Sequence, residues 1–262
     1  MTKNLLKNKK IVISAAASGI GLATLKVCLS RGAKLFICDN NENFLDKLIK
    51  KYKSNKNLSI YKCDASNEKE VENFFKKIKA KTSKIDCLIN NVGIAGPTGT
   101  IEKLSSKDWE KTLKVNVTSH FYFSKLAIPM LKKNKGGSII NISSGAGIMG
   151  FPLRSPYAAS KWAVIGMTKT LAMELGNYKI RVNAICPGTI KGDRMVRVIR
   201  DKSKFLKMSK KKIEKEFISM ASMNCWIKEE DVAKMCGFLI SDDAVTISGQ
   251  VIGVDGNAIR LD

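Results

Sequence analysis

The chain alternates short apolar runs with longer amphipathic ones. Seven runs of five or six residues are rich in β-branched side chains: KIVIS at 10–14, KLFIC at 34–38, LSIYK at 58–62, DCLIN at 86–90, SIINIS at 138–143, IRVNAI at 180–185 and QVIGV at 250–254. Such runs predict strands, and their near-continuous apolar character predicts burial on both faces. Helix-period patterns fill most intervals, the longest over about 105–133 and 156–176. This alternation implies right-handed crossovers and a parallel sheet between two layers of helices. No repeat, low-complexity tract or Pro/Gly-rich linker divides the sequence. The expectation is one α/β domain over 1–262, a doubly wound, Rossmann-type, seven-stranded parallel sheet with helices on both faces. The rhythm breaks once, at 189–228, where a polar, lysine-rich helical stretch precedes the last strand. Insertions that follow carboxyl-end loops commonly cover the ligand crevice, so 189–228 is a candidate substrate lid.

Composition narrows the class. At 262 residues and 44% hydrophobic the chain can bury a large core. No window of eighteen apolar residues occurs, which argues against a membrane span, and the basic start MTKNLLKNKKIVIS runs straight into a strand rather than reading as a signal peptide. Seven scattered cysteines, odd in number and never spaced as CxxC, suggest neither a disulfide framework nor a zinc site and fit a reducing cytoplasm. The single histidine, His120, lies mid-helix and reads as a packed residue rather than a metal ligand.

The net charge of +23 raises the question of nucleic acid. Yet 39 of the 46 basic residues are lysines spread over nearly every helix, and the densest run, KMSKKKIEK at 207–215, has no interleaved aromatics for base stacking. A global lysine bias explains the charge better than a binding stripe does.

Candidate chemistry begins at SAAASGIG, Ser14–Gly21, between the first strand and the first helix. Glycines at a helix start leave bare N–H groups and the positive dipole end facing an anion such as a pyrophosphate. Alanine at position 15, where a dinucleotide loop carries its first glycine, requires negative φ there, because Cβ disfavours the left-handed region. Asp39 ends the next strand twenty residues after Gly19, about the separation of a carboxylate that binds the adenosine ribose hydroxyls. It would repel a 2′-phosphate, and no Arg or Lys lies in the glycine loop, so NAD is favoured over NADP.

The stretch SPYAASKWAV is more specific. Ser155 reads as an N-cap and Pro156 as the first helical residue, which puts Tyr157 in the first turn and Lys161 at i+4 on the same face. An adjacent ammonium and a helix N-terminus favour phenolate, so Tyr157 is a candidate proton carrier. It follows Ser144 by thirteen residues, with LINNVG (88–93) and KVNVTSHF (114–121) upstream and VNAICPG (182–188) downstream.

Taken in this order, from Lys10 to Gly256, these pieces resemble the short-chain dehydrogenase/reductase family. The resemblance covers essentially the whole chain. Its glycine motif matches Ser14, Ala15, Gly19 and Gly21, and its Asn-Asn-Ala-Gly motif matches Asn90, Asn91, Val92 and Gly93. It implies a catalytic tetrad of Asn116, Ser144, Tyr157 and Lys161. Tyr157 would be the general acid/base, Ser144 would hydrogen-bond the reacting oxygen, Lys161 would act on Tyr157 and hold the nicotinamide ribose, and Asn116 would hold a water joining Lys161 to solvent. Cofactor contacts are implied at Ser14, Ala16, Ser18, Gly19, Ile20 and Asp39 from the first half of the fold. Asp64 and Ala65 would lie near adenine, Asn91 and Gly93 follow, and Pro187, Gly188 and Thr189 would lie beside nicotinamide or pyrophosphate. Hydride passes directly between nicotinamide and substrate in this family, so no metal is implied.

Arg154 stands three residues before Tyr157 in a loop that should border the substrate, and arginines are scarce here, seven against 39 lysines. An arginine there can hold a carboxylate or sulfonate in a bidentate grip. Arg194 is a second candidate at the start of the lid, with Arg197 and Arg200 after it at threefold spacing. The reading is an NAD-dependent enzyme interconverting a secondary alcohol and a ketone, on a small anionic hydroxy compound or sugar acid. A homotetramer or homodimer would form through the long helices and the C-terminal strand region, whose tail could reach a neighbour's site. Two alternatives stay open: an NADPH-dependent 3-oxoacyl-carrier-protein reductase, and a non-catalytic cofactor-sensing or nucleic-acid-binding module on the same fold.

Overall fold

Seven parallel strands pair in the spatial order β3-β2-β1-β4-β5-β6-β7 in the computed structural model, which describes residues 4–258. They are β1 (Lys10–Ile13), β2 (Lys34–Asp39), β3 (Leu58–Lys62), β4 (Cys87–Asn90), β5 (Gly137–Ile142), β6 (Ile180–Pro187) and β7 (Val251–Val254). Each lies within two residues of a run in the hydrophobic pattern. The order reverses between β1 and β4, and the crevice at that switch point, outside the carboxyl ends, is where such sheets receive ligands.

Two helical layers cover the sheet. On one face α1 (Gly19–Ser30) packs with α9 (Glu229–Ile240), burying Leu25, Cys28, Val232, Cys236 and Leu239. On the other, α3 (Glu68–Lys79) and α5 (Ser119–Lys133) bury Phe74, Phe75, Phe123 and Leu131, and the Phe75 and Phe123 ring centroids lie 5.7 Å apart. Each such side chain, fully withdrawn from water, contributes about 1.5–3 kcal/mol before entropy is charged against it. Helix α2 (Glu42–Lys51) follows β2, capped by Asn41, whose side chain accepts from the Phe44 N–H at 3.1 Å.

A buried polar chain joins the sheet to the helices that carry the site. Asn90 Nδ2 donates to Asn141 Oδ1 at 2.8 Å and to Ser124 Oγ at 3.1 Å, and Asn141 Nδ2 donates to Thr168 Oγ1 at 2.9 Å. Ser124 is on α5 and Thr168 on α6 (Ser155–Leu175), so the carboxyl ends of β4 and β5 fix both helices.

The helix expected over 105–133 is continuous but not uniform. It runs as α4 (Ser106–Leu113), then a π turn at Lys114–Thr118, then α5. The 189–228 stretch folds as α7 (Asp193–Leu206) and α8 (Lys210–Ser219), with a small core of Val198, Ile199, Ile213 and Phe217. All seven cysteines are free thiols and six are buried. No helix among the described residues is long and apolar enough to cross a membrane. Residues 259–262, the tail expected near a neighbouring subunit, lie outside the described residues.

Candidate active site

The glycine loop is built largely by backbone. Ala15 has φ +50, not the negative φ its side chain led us to expect. Its neighbours hold it there: Asn91 Nδ2 donates to the Ala15 carbonyl at 2.8 Å, and the Ala16 N–H donates to the Cys38 carbonyl at 3.0 Å. The left-handed cost of an alanine, on the order of 1 kcal/mol, is carried by these bonds. Gly21 is obligatory for a related reason, because a Cβ there would meet the Ala15 carbonyl oxygen at 2.3 Å. Ser14 Oγ accepts from the Asn91 N–H at 3.0 Å, which locks the ends of β1 and β4 together.

Helix α1 starts at Gly19, and Ser18 caps it with no side-chain hydrogen bond. Its first N–H groups therefore face the crevice, as an anion site requires. Asp39 is buried at the end of β2. Its Oδ2 accepts from the Ala17 N–H at 3.0 Å and its Oδ1 from the Asn41 N–H at 3.0 Å. Asn41, rather than Asp39, caps α2. A carboxylate offers about four lone-pair positions, so Asp39 keeps acceptor capacity for ribose hydroxyls.

A groove of about 380 Å³ runs from this loop past the ends of β5 and β6 to the α7–α8 segment. Ala15, Ser18, Gly19, Ile20 and Asn91 line one end, and Ser144, Tyr157, Lys161, Pro187, Gly188 and Thr189 line the middle. Ala16 is fully buried and lies outside the lining, as do Asp39, Asp64 and Ala65. The Asp64 Oδ1 is engaged locally, accepting from the Ser66 N–H at 2.9 Å and Ser66 Oγ at 2.8 Å.

The four tetrad positions converge. Helix α6 begins at Ser155 with Arg154 in the cap position, one residue earlier than the Ser-Pro pattern suggested, and Tyr157 remains in the first turn. Lys161 is buried, and its Nζ stands 5.8 Å from the Tyr157 ring centroid while donating to the Ile142 carbonyl at 3.0 Å. Burial pulls the Lys161 ammonium down to about 7, with Arg194 adding to the fall. Ser144 Oγ accepts from the Ala146 N–H at 3.2 Å. Asn116 sits inside the π turn. Its Oδ1 accepts from the Ile94 N–H at 2.7 Å, and its Nδ2 donates to the Ile94 carbonyl at 3.0 Å and to Ser160 Oγ at 2.9 Å. Such local widening often marks functional positions. A Cβ on Gly93 would come 3.3 Å from Lys161 Nζ and 3.5 Å from Asn116 Oδ1.

His120 is buried just beside this cluster, its Nε2 at 3.1 Å from the Val92 carbonyl. Burial and the nearby Lys161 pull it down to about 3, so it is neutral and donates through Nε2. Gly188 is close-packed from behind, since a Cβ would meet Asp255 Cα at 2.7 Å. The Thr189 hydroxyl donates to the Phe217 carbonyl at 3.3 Å, tying β6 to α8.

Beyond Tyr157 the wall changes character. Phe151, Val198, Phe217 and Met220 form an apolar end. Arg154 lies among them, only 5% exposed, with its guanidinium 5.4 Å from the Tyr157 ring centroid. It donates to the Ala95 carbonyl and, at 3.4 Å, to Thr98 Oγ1, while its buried Nε has no partner among the described residues. Burial pulls it below the usual arginine range; Tyr157 and Asp201 oppose that fall and Arg194 adds to it. Arg194 is exposed and donates to the Gly93 carbonyl at 2.6 Å. With Arg154, Arg197, Lys111, Asp108 and Asp201 it lines an adjoining recess of about 440 Å³. The sequence reading missed Phe44, Met149, Phe151, Phe217, Met220 and Glu229 in the groove wall. Only the FPLRSPY segment hinted at one of them.

The groove suits a dinucleotide: a free helix N-terminus lines one end, with the Asp39 carboxylate bonded to the backbone behind the loop, and Ser144, Tyr157 and Lys161 line the middle, with Asn116 buried outside the lining. Comparison with known proteins agrees. Residues 15–257 match a family model described as enoyl-(acyl carrier protein) reductase. The 3-oxoacyl-[acyl-carrier-protein] reductase FabG of Thermotoga maritima is 34% identical over 97% of this chain and 99% of its own length. Dehydrogenase/reductase SDR family member 6 of Rattus norvegicus is 32% identical over 96% and 97%. A solved structure titled "ElxO with NADP Bound" superposes with a TM-score of 0.84 at 30% identity, covering 95% of this chain and 98% of that one.

Proposed function

The chain belongs to the short-chain dehydrogenase/reductase family of oxidoreductases, and from that premise we propose that it oxidises a small anionic secondary alcohol to the ketone with NAD, or runs the reverse. The observation that carries the substrate class is Arg154: a buried cation beside Tyr157, held by neutral oxygens and with one N–H unpartnered. A buried arginine without a carboxylate partner costs free energy, and a ligand carboxylate or sulfonate relieves that cost. Arg194, at the opening of the lid, supplies a second, exposed cation.

The residues act as follows. Arg154 orients the substrate by its acidic group, and Ser144 donates to the reacting oxygen. Tyr157 takes the alcohol proton as the C–O bond gains double-bond character, and returns it in reduction. Lys161, buried against Ile142 and drawn down to about 7, sets its Nζ beside the phenol and exchanges a proton near neutrality, and Asn116 sits in the π turn beside it. The nicotinamide, when bound, supplies the hydride acceptor or donor. Asp39 favours NAD because its carboxylate would face a 2′-phosphate. The protein works in a reducing cytoplasm as a homodimer or homotetramer assembled through α5 and α6, which present Phe121, Trp162 and Met173 to solvent.

A second reading, an NADPH-dependent 3-oxoacyl-carrier-protein reductase, draws support from the FabG relative and from the +23 charge, which suits an acidic carrier. One experiment divides them: NADH and NADPH formation across matched anionic and neutral alcohols and a 3-hydroxyacyl thioester, with Tyr157→Phe as the chemical control. The first reading predicts turnover of the anionic members with NAD, and a loss of about 10²–10⁴ in the variant. Preference for NADP with acyl thioesters would replace it with the second. Turnover that survives Tyr157→Phe would remove both.

A further inference from the structure

The groove holds a carboxylate that the chemistry above does not use. Glu229 is the first residue of α9, and its Oε1 stands 3.6 Å from the point where a Cβ on Gly19 would lie and 3.7 Å from the corresponding point on Gly192. It thus sits between the start of α1 and the start of α7, in a wall shared with Ser18, Ile20 and Asp193. It is half-buried, and no described residue donates a hydrogen bond to it. The free N–H groups of α1, uncapped by Ser18, open onto the same space.

An anion-binding helix start therefore has a built-in anion beside it. We propose that Glu229 lowers the affinity of the groove for the cofactor's diphosphate by like-charge opposition, keeping dinucleotide binding weak enough for ready exchange. This rests on the dinucleotide reading of the groove but not on the choice between NAD and NADP, nor on the identity of the alcohol. The groups facing Glu229 come from three elements: Glu230 beside it on α9, Lys26 on α1 and Asp193 on α7. Burial raises the Glu229 carboxyl above its ordinary range. Glu230 and Asp193 push the same way and Lys26 opposes them. Opposition to the diphosphate consequently grows as pH rises and fades as Glu229 takes up its proton.

The test is equilibrium binding without turnover, in EDTA, on the full chain. NADH and NADPH are titrated by fluorescence; ADP-ribose and adenosine, the latter lacking phosphate, are titrated by calorimetry. At pH 8, Glu229→Gln should bind ADP-ribose and the preferred dinucleotide roughly three- to tenfold more tightly than wild type. Adenosine should change by less than twofold. Glu230→Gln, an exposed neighbour outside the groove, should match wild type. Glu229→Asp, which keeps the charge but draws it back, should fall between. The ratio between wild type and Glu229→Gln should shrink as pH is lowered from 8 toward 5. Unchanged or weaker ADP-ribose binding in folded Glu229→Gln would overturn the proposal, as would an equal gain for adenosine. Failure of wild type and variant alike to bind any dinucleotide would sink the cofactor reading, and this proposal with it.

Discussion

The two ends of the groove are built on opposite principles. At the nucleotide end, Glu229 apart, the side chains around the loop are answered: Asn91 meets Ala15, Asp39 meets Ala17 and Asn41, and Ser14 meets Asn91. Side chains there serve to hold backbone in place, and the backbone is what remains to meet a ligand. At the substrate end the wall is made of side chains from three separated segments, 151–154, α7 and α8, around one incompletely answered cation. A saturated network fixes one shape, and so suits a ligand that never changes. An unsatisfied buried charge stores free energy that only a matching ligand releases, and so suits specificity.

The contrast breaks most directly at Arg154. Arg154→Met keeps the apolar volume and removes the charge. We expect kcat/KM for an anionic alcohol to fall roughly 10²- to 10³-fold, as for truncation of one partner in a buried charge pair. Its neutral isostere should change by less than about threefold. Thermal unfolding should cost about 1 kcal/mol or less, because replacing a poorly paired buried ion by an apolar side chain is often neutral. Equal losses on both substrates, or a large loss of stability, would make Arg154 a structural post and erase the difference between the two ends.

The same contrast governs what could be read in the sequence. The strands were legible because burial on both faces demands unbroken apolar runs, and Tyr157, Lys161, Ser144 and Asn116 because their order along such a sheet is distinctive. Arg154 stands out as a candidate in the sequence through rarity, seven arginines against 39 lysines. Ala15 was misjudged, since the bond that holds it at φ +50 comes from Asn91, 76 residues away. The π turn around Asn116 has no local signature either; it depends on Ile94 and Ser160, which only the fold brings to its side. Glu229 reads as an ordinary first-turn acid until α9 is placed against α1.

A smaller effect tests the seam between the ends. His120 packs under Val92, next to Lys161, and is held down to about 3 by burial. In the unfolded chain it binds a proton near 6.5, so between about 6.5 and 3 the unfolded state holds more protons. Its contribution to stability is thus fully present above 6.5 and is lost as pH falls toward 3, by roughly 2 kcal/mol at pH 5. Lys161 acts with the same sign in a separate window, from about 7 up to its ordinary 10.5. Urea denaturation of His120→Gln, which can still donate to Val92, should show a flatter loss between pH 6.5 and 5 while the alkaline slope persists. An unchanged acid slope would mean that His120 is not held neutral in the folded state.

The least effect expected is the most exact probe of the nucleotide end. Glycine at position 15 relieves a left-handed alanine worth about 1–2 kcal/mol, but frees the unfolded chain at a cost of about 0.5–1 kcal/mol. The net gain should be about 0.5–1 kcal/mol, some 1–4 °C in Tm for a chain of this size. Dinucleotide affinity should stay within twofold, because Asn91 and the Cys38 carbonyl hold the backbone whichever residue occupies the position. A fall in Tm would show that the Ala15 methyl, packed against the α3–α5 side of the core, stabilises the loop more than its backbone costs. A loss of affinity would show that the loop is held by its side chain as well as by its network, and the two ends of the groove would then differ less than their hydrogen bonds imply.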